Sequence, residues 1–351
     1  MNNLKTLSRS RLLMMLVSLA VILPMMATTA VAQEYTMTLQ SVAPEGTPWA
    51  AQVGRLKKVW EEKSGGRLKV KVILGRGNEE AMVRKCRKGE LQAIGVSTGA
   101  MISEVPEMGV LELPFLFKDY AAADKVLDNV LFSSIEKFLA EDYGLQLYIF
   151  SENGFRNFAM KVADPSKKPE LPGALGSLKM RSQDNWIHEE TYKALGGNPV
   201  RVPTPEVLTS LSNKQVQGFD NTPLFAFAAS WYKHVNVWVV SNHIYQPGIV
   251  VFSKKWFDGL PKDIQEIILD KDTRIKETKK GRKAIRALGK QLMGTLKKKG
   301  ITIYEISGAE RDAMAAKTKG VYDMFRKKAG GLGKAGKRMK KMLSIIEKNA
   351  K

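Results

Sequence analysis

Arg181 ends the segment Leu178-Lys179-Met180-Arg181. An arginine at the end of a strand can turn its planar guanidinium toward a carboxylate and make two parallel charge-assisted hydrogen bonds, which lysine cannot reproduce. Arg156 lies in Gly154-Phe155-Arg156-Asn157. Asn221 lies in the turn Gly218-Phe219-Asp220-Asn221-Thr222-Pro223, from which its amide can be aimed into a cleft. Taken singly, each is an ordinary surface residue. Together they are polar groups at strand ends, suited to holding a small carboxylate.

Signals for catalysis are sparse. The three histidines, His188, His234 and His243, form no His-x3-His pair with an intervening glutamate. There is no phosphate loop ending in Gly-Lys-Ser/Thr. Gly75-Arg76-Gly77 lacks the third glycine of a dinucleotide fingerprint. The single cysteine, Cys86, cannot build a metal cluster or an internal disulfide. Its place beside Met82 and Val83 on a helical pattern suits a small buried apolar side chain. These absences point to a binding protein that uses no cofactor and no metal. An extracytoplasmic enzyme is the alternative.

The elements that must position these groups alternate strand and helix. Tyr35 to Gln40 reads as a strand, and Thr47-Pro48 as an N-cap followed by proline at the first helical position. Val53, Leu56 and Trp60 keep helical spacing behind it. Leu68, Val70, Val72 and Leu74 alternate with Lys69 and Lys71, as a strand should. A helix near Glu79 to Lys88 and a strand from Gln92 to Val96 complete an α/β block with a largely parallel sheet. A buried strand, Leu145 to Phe150, runs into Asn153-Gly154, where the chain is expected to change lobe. Leu178 to Arg181 and Gly248 to Phe252 read as strands, Trp186 to Leu195 and Glu206 to Ser212 as helices. Pro261 opens a long helical stretch reaching toward Lys299, and Ile301 to Ile306 alternates as a late strand.

The chain has 351 residues and a formal net charge of +21. Lys5, Arg9 and Arg11 precede an apolar run from Leu12 to Met26 that ends at Ala30-Val31-Ala32, the pattern of a secretory signal cleaved near Ala32. The run is shorter than the roughly 20 residues a membrane-spanning helix needs. The expected mature chain is periplasmic, and its length of roughly 320 residues exceeds what one core usually supports. We therefore expect lobe I over 33–153 plus about 247–285, and lobe II over 154–246 plus about 286–328. The remaining 329–351 form a basic C-terminal tail. Around it Arg326, Lys327, Lys328, Lys334, Lys337, Arg338, Lys340, Lys341, Lys348 and Lys351 face only Glu347. This charge reads as a solvated terminal helix, with membrane-surface contact as the alternative. Nucleic acid is not an expected partner, because no recognition motif with interleaved aromatics is present.

Several segments resemble the DctP-type solute receptors of tripartite ATP-independent periplasmic (TRAP) transporters over about Tyr35 to Phe325. They are Ala43-Pro-Glu-Gly-Thr-Pro48, Ser64-Gly-Gly-Arg-Leu-Lys-Val70, Lys88-Gly-Glu-Leu-Gln-Ala-Ile94 and Leu113-Pro-Phe-Leu-Phe117. Leu178-Lys-Met-Arg181, Lys193-Ala-Leu-Gly-Gly-Asn-Pro199 and Trp256-Phe-Asp-Gly-Leu-Pro-Lys-Asp-Ile-Gln265 complete the set. Each is weak singly, but their order and spacing are specific. The resemblance implies a two-lobed periplasmic-binding-protein-like fold with hinge strands and a long late helix spanning the lobes. It implies a monomer that takes a small organic acid, a C4-dicarboxylate by family default, to TRAP membrane subunits. It also implies that Arg181 clamps the ligand carboxylate, that Arg156 assists and that Asn221 contacts ligand. By loop analogy Trp49, Ser97, Thr98, Trp186 and Phe225 line the site. Two departures, the displaced proline at Pro223 and the segment Gly75 to Glu79, touch the cleft side. A larger or less polar ligand is the alternative they motivate.

Overall fold

The computed structural model describes residues 33–350. The expected signal segment and its cleavage position lie outside the described residues. Among the described residues nine strands form one sheet: β1 (Tyr35–Ser41), β2 (Leu68–Ile73), β3 (Ala93–Ser97), β4 (Leu145–Met160), β5 (Lys179–Ser182), β6 (Asn198–Arg201), β7 (Gly218–Asn221), β8 (Val237–Ser253) and β9 (Thr302–Glu305). Their order is β2-β1-β3-β8-β4-β7-β5-β6, with β9 beside β8. β1 runs parallel to β2 and β3, and β5 parallel to β6 and β7. These two parallel blocks are the α/β lobes. An antiparallel ribbon of β4 and β8 joins them, so the sheet is parallel at both ends and antiparallel in the middle.

The ribbon differs from the expected short strands. β4 has 16 residues and β8 has 17, and each serves both lobes. At about 3.3 Å per residue such strands extend for roughly 50 Å. At Asn153-Gly154 the strand continues without a loop. The β4–β8 register slips between Glu152 and Gly154, one of three such shifts, and Gly154 has φ +109. An extra residue at a bulge bends a strand, and the positive φ favours glycine there.

Burial follows the same division. Leu147 and Phe150 on β4 enter a core with Val83, Met108, Leu139 and Val251, while Tyr148 and Ile149 face Met37, Leu56, Trp60 and Phe252. Beyond the bulge, Ala159 packs with Val216, Phe219 and Trp238, and Phe158 with Met180, Tyr192 and Met314. Cys86 is fully buried in the first core, and burial pushes its thiol pKa up.

The expected helical stretch from Pro261 divides into Lys262–Ile268 and a long helix, Lys271–Lys298, because Asp270 caps the second by accepting from the Thr273 N–H at 2.8 Å. The long helix has 28 residues, about 42 Å at 1.5 Å per residue. Its Glu277 carbonyl accepts from Gln52 in lobe I, and its Leu296 packs in lobe II. No helix among the described residues is long and apolar enough to cross a membrane.

The C-terminal region departs from expectation. Met314 packs with Phe158, Met180 and Tyr192, whereas Val321 and Phe325 pack in the first core. The basic tail is not a solvated helix. Gly333–Asn349 buries Met339, Met342, Leu343 and Ile346 against lobe I. Arg338 donates to the buried Glu107 carboxylate at 2.7 Å, and Lys334 donates to Asp142 at 2.9 Å.

Candidate functional site

A cavity of about 690 Å³, partly open to solvent, lies where the ribbon passes between the lobes. Six of the eight expected residues line it: Trp49, Ser97, Arg156, Arg181, Asn221 and Phe225. The other two sit elsewhere. Thr98 faces inward, where its hydroxyl donates to the Glu112 carboxylate and to the Pro247 carbonyl. Trp186 starts its helix with Asn185 as the cap, but its ring stacks on Phe325 with Lys328 above it.

Arg181 is 1% exposed. It is the third of the four residues of β5, and its Nε donates to the Val202 carbonyl at 3.0 Å. Nη2 lies 3.5 Å from the Thr204 hydroxyl, and the guanidinium sits over the Trp231 ring at 5.4 Å. No described carboxylate lies within ion-pair distance of it. Burial, with repulsion from Arg156, lowers its pKa to about 10. This is a desolvated cation with no protein counter-ion, and an anion entering the cavity would supply one.

Arg156 lines the cavity but is differently placed. Its Nε donates to Asp220 Oδ2 at 2.6 Å, its Nη2 to the Asp220 carbonyl at 2.6 Å and its Nη1 to Gln246 Oε1 at 2.7 Å. Tyr192 donates to the other Asp220 oxygen at 3.0 Å, and His243 Nε2 lies 3.3 Å from the same carboxylate. Burial opposes the Asp220 charge, yet Arg156 and His243 hold its carboxyl well below the usual range. Asp220, part of the unusual turn, thus satisfies Arg156 internally. Its neighbour Asn221, which also lines the cavity, uses Oδ1 to accept from the Thr222 N–H at 2.8 Å.

Two carboxylates also line the cavity. Glu152 receives Arg286 from the long helix at 2.9 Å, and Tyr245 at 3.2 Å. Glu79 opens the Glu79–Lys88 helix. Its Oε1 accepts from the Ser97 N–H at 2.8 Å, and its Oε2 from the Thr204 hydroxyl at 3.3 Å. Burial raises the Glu79 pKa. Thr204 therefore stands between Arg181 and Glu79. Trp49 and Phe225 form an aromatic wall, their centroids 6.0 Å apart, and Trp49 Nε1 donates to the Glu152 carbonyl at 2.6 Å.

Glu79, Glu152, Gln183, Thr204 and Gln246 escaped the sequence reading. Gln183 was within reach, since it follows Arg181 by two on an extended segment and so shares its face. Glu79 was also within reach as an acid in a helix's first turn. Gln246 lies mid-ribbon with no turn or cap to mark it. It donates to Gln183 at 2.7 Å and to Glu112 at 3.0 Å, and accepts from Asn153 at 2.7 Å. The lobes meet through this hub, through Gln183 donating to Ser97 at 2.9 Å, and through His188 Nε2 at 2.8 Å from Glu112.

Residues 39–328 match the family described as DctP, bacterial extracellular solute-binding protein, family 7. The chain belongs to this family. An uncharacterised protein of Haemophilus influenzae is 32% identical over 253 residues, 72% of this chain and 74% of that protein. The 2,3-diketo-L-gulonate-binding periplasmic protein YiaO of Escherichia coli is 29% identical over 60% of this chain and 63% of its own. Among solved structures, the sugar acid binding protein DctPAm of Advenella mimigardefordensis, in complex with galactonate, superposes with a TM-score of 0.80. It is 26% identical and covers 90% of this chain and 99% of its own. A TRAP periplasmic solute-binding protein of H. influenzae with bound L-gulonate gives 0.79, also at 26% identity, covering 88% and 99%. The characterised relatives are binding proteins rather than enzymes.

Proposed function

We propose that this DctP-family receptor for small organic acids takes a monocarboxylate rich in hydroxyl groups, a sugar acid, in the periplasm. It delivers this ligand to TRAP membrane subunits as a monomer and performs no catalysis. The observation that carries the reading is the buried Arg181, which lacks a protein carboxylate while every other ionised group of the cavity wall is otherwise engaged.

The charge pattern favours one ligand carboxylate over two. Asp220 neutralises Arg156 and Arg286 neutralises Glu152, so among the described residues lining the cavity Arg181 is the cation left for a ligand. The second carboxylate of a dicarboxylate would face Glu79 and Glu152 without a free cation, and like charges in a desolvated site repel. Hydroxyl groups fit better. Glu79, Gln52, Gln183, Asn153, Ser41 and Ser151 line the same space and offer acceptors and donors. The galactonate and L-gulonate bound by the two similar structures are acids of this kind.

Capture works by closure. In an open form Arg181 and Asn221 on one lobe, and Glu79 and Ser97 on the other, are wet. A ligand bridging them shifts the population toward the closed form, where exclusion of water strengthens each ionic hydrogen bond. Mass spectrometry of small molecules that co-purify with the protein tests the assignment. A polyhydroxy monocarboxylate is expected, and a neutral sugar or an amine would overturn it.

A further inference from the structure

The long helix Lys271–Lys298 buries Thr278, Gly281, Ile285, Leu292 and Leu296. Its opposite side carries seven exposed lysines: Lys276, Lys279, Lys280, Lys283, Lys290, Lys297 and Lys298. At 3.6 residues per turn they fall in a stripe roughly 100° wide and about 33 Å long. Ala287 and Gly294 occupy its middle, so no bulky side chain stands above the ammonium groups.

From Lys276 to Lys298 the stripe has no exposed counter-charge, and the acid on its face is Asp272, one turn before Lys276. Asp272, at the helix start, is the helix's one exposed acid, and Glu277 is buried and bonded to Arg55 at 2.8 Å. None of the seven lysines has an ion-pair partner among the described residues. Three lysines on other helices do: Lys57 pairs with Glu61, Lys193 with Glu189 and Lys254 with Asp258, each partner four residues away. Lys276 and Lys280, or Lys279 and Lys283, instead place like charges at that spacing, which destabilises a helix.

We propose that this stripe seats the protein on an anionic phospholipid bilayer. Protein interfaces are depleted in lysine and draw their binding energy from Trp, Tyr and Arg, none of which the stripe contains. Lysine ammonium groups on flexible stems suit a diffuse field of negative headgroups, which reaches about one Debye length from the surface. Because the helix spans both lobes, contact along it lays the receptor lengthwise on the membrane. The terminal helix Gly333–Asn349 is a poorer candidate, since acids from lobe I answer part of its charge. The proposal is independent of the ligand reading, because no lysine of the stripe lines the cavity.

Co-sedimentation of the full mature chain with vesicles of mixed phosphatidylglycerol and phosphatidylcholine tests it, with phosphatidylcholine alone as the reference. Binding to the anionic vesicles only, weakening steeply as salt is raised, is the expected result. Two variants of equal charge change separate the stripe from bulk charge. Lys276→Gln/Lys280→Gln/Lys283→Gln/Lys290→Gln is expected to lose at least about tenfold in partitioning. Lys337→Gln/Lys340→Gln/Lys341→Gln/Lys348→Gln on the terminal helix is expected to lose less than about threefold. Glutamine keeps the helix propensity of lysine, so both variants should fold. Equal losses in the two variants, or no binding to anionic vesicles, would overturn the proposal.

Discussion

Replacing Arg181 and Arg156 separately by alanine should give opposite results, because one cation is unpaired and the other is not. Burial and Arg156 lower the Arg181 pKa from 12.5 to about 10, which corresponds to roughly 3 kcal/mol of unfavourable environment for its charge in the empty site. Arg181→Ala removes that penalty together with the stem's packing, so stability should change by less than about 2 kcal/mol. Ligand binding, however, loses a desolvated charge pair, about 2–5 kcal/mol or roughly 30- to 4,000-fold in Kd. Arg156→Ala strands the buried Asp220 carboxylate, which then keeps only Tyr192 and His243. Breaking a buried pair costs about 3–5 kcal/mol, and that loss should appear as lowered stability even without ligand. Urea unfolding of the ligand-free variants, with calorimetric titration of a bound sugar acid, reads both quantities. Arg181→Ala binding within about threefold of the parent, or Arg156→Ala unfolding at the parent's urea midpoint, would refute the division of roles.

Three further outcomes follow. Glu79→Gln should narrow the preference for a hydroxy monocarboxylate over succinate by about tenfold or more, because it removes the charge facing a second carboxylate; competition titrations check this. Burial lowers the His243 pKa below 6.5, so the unfolded chain binds more protons in that window. Stability should therefore be full above about pH 6.5 and fall on acidification, and thermal unfolding of His243→Gln should lose this slope. Finally, a Cβ at Gly336 would lie 1.7 Å from the Ala329 carbonyl oxygen. Gly336→Ala should then push the terminal helix off lobe I, at a cost of about 3 kcal/mol or more, while exposed Lys337→Ala should cost less than about 0.5 kcal/mol; urea midpoints separate the two.

Local signals carried much of the fold. Thr47-Pro48, Gly89 and the alternation from Leu68 to Val72 mark their elements within a residue or two. The continuity of β4 and β8 was hidden, because polar residues at the lobe crossing, such as Glu152, Asn153 and Gln246, interrupt the apolar pattern that identifies a buried strand. They are polar because they line the cavity or satisfy its arginines. The terminal helix was misread for a related reason. Charge dominates its composition, but Met339, Met342, Leu343 and Ile346 fall on one face, and that spacing outweighs the lysine count. Arg181 was legible from residue type and strand position. The separate status of Arg156 was not, because it depends on Asp220, 64 residues away on the paired strand.

The central claim is that the cavity holds one carboxylate on Arg181 and hydroxyl groups against Glu79. The most direct measurement is calorimetric titration of ligand-free protein with galactonate, L-gulonate, succinate and galactitol in parallel. The account predicts tight binding of at least one sugar acid, weaker binding of succinate and none of the neutral galactitol. Succinate binding more tightly than either sugar acid, or galactitol binding as well as galactonate, would contradict it.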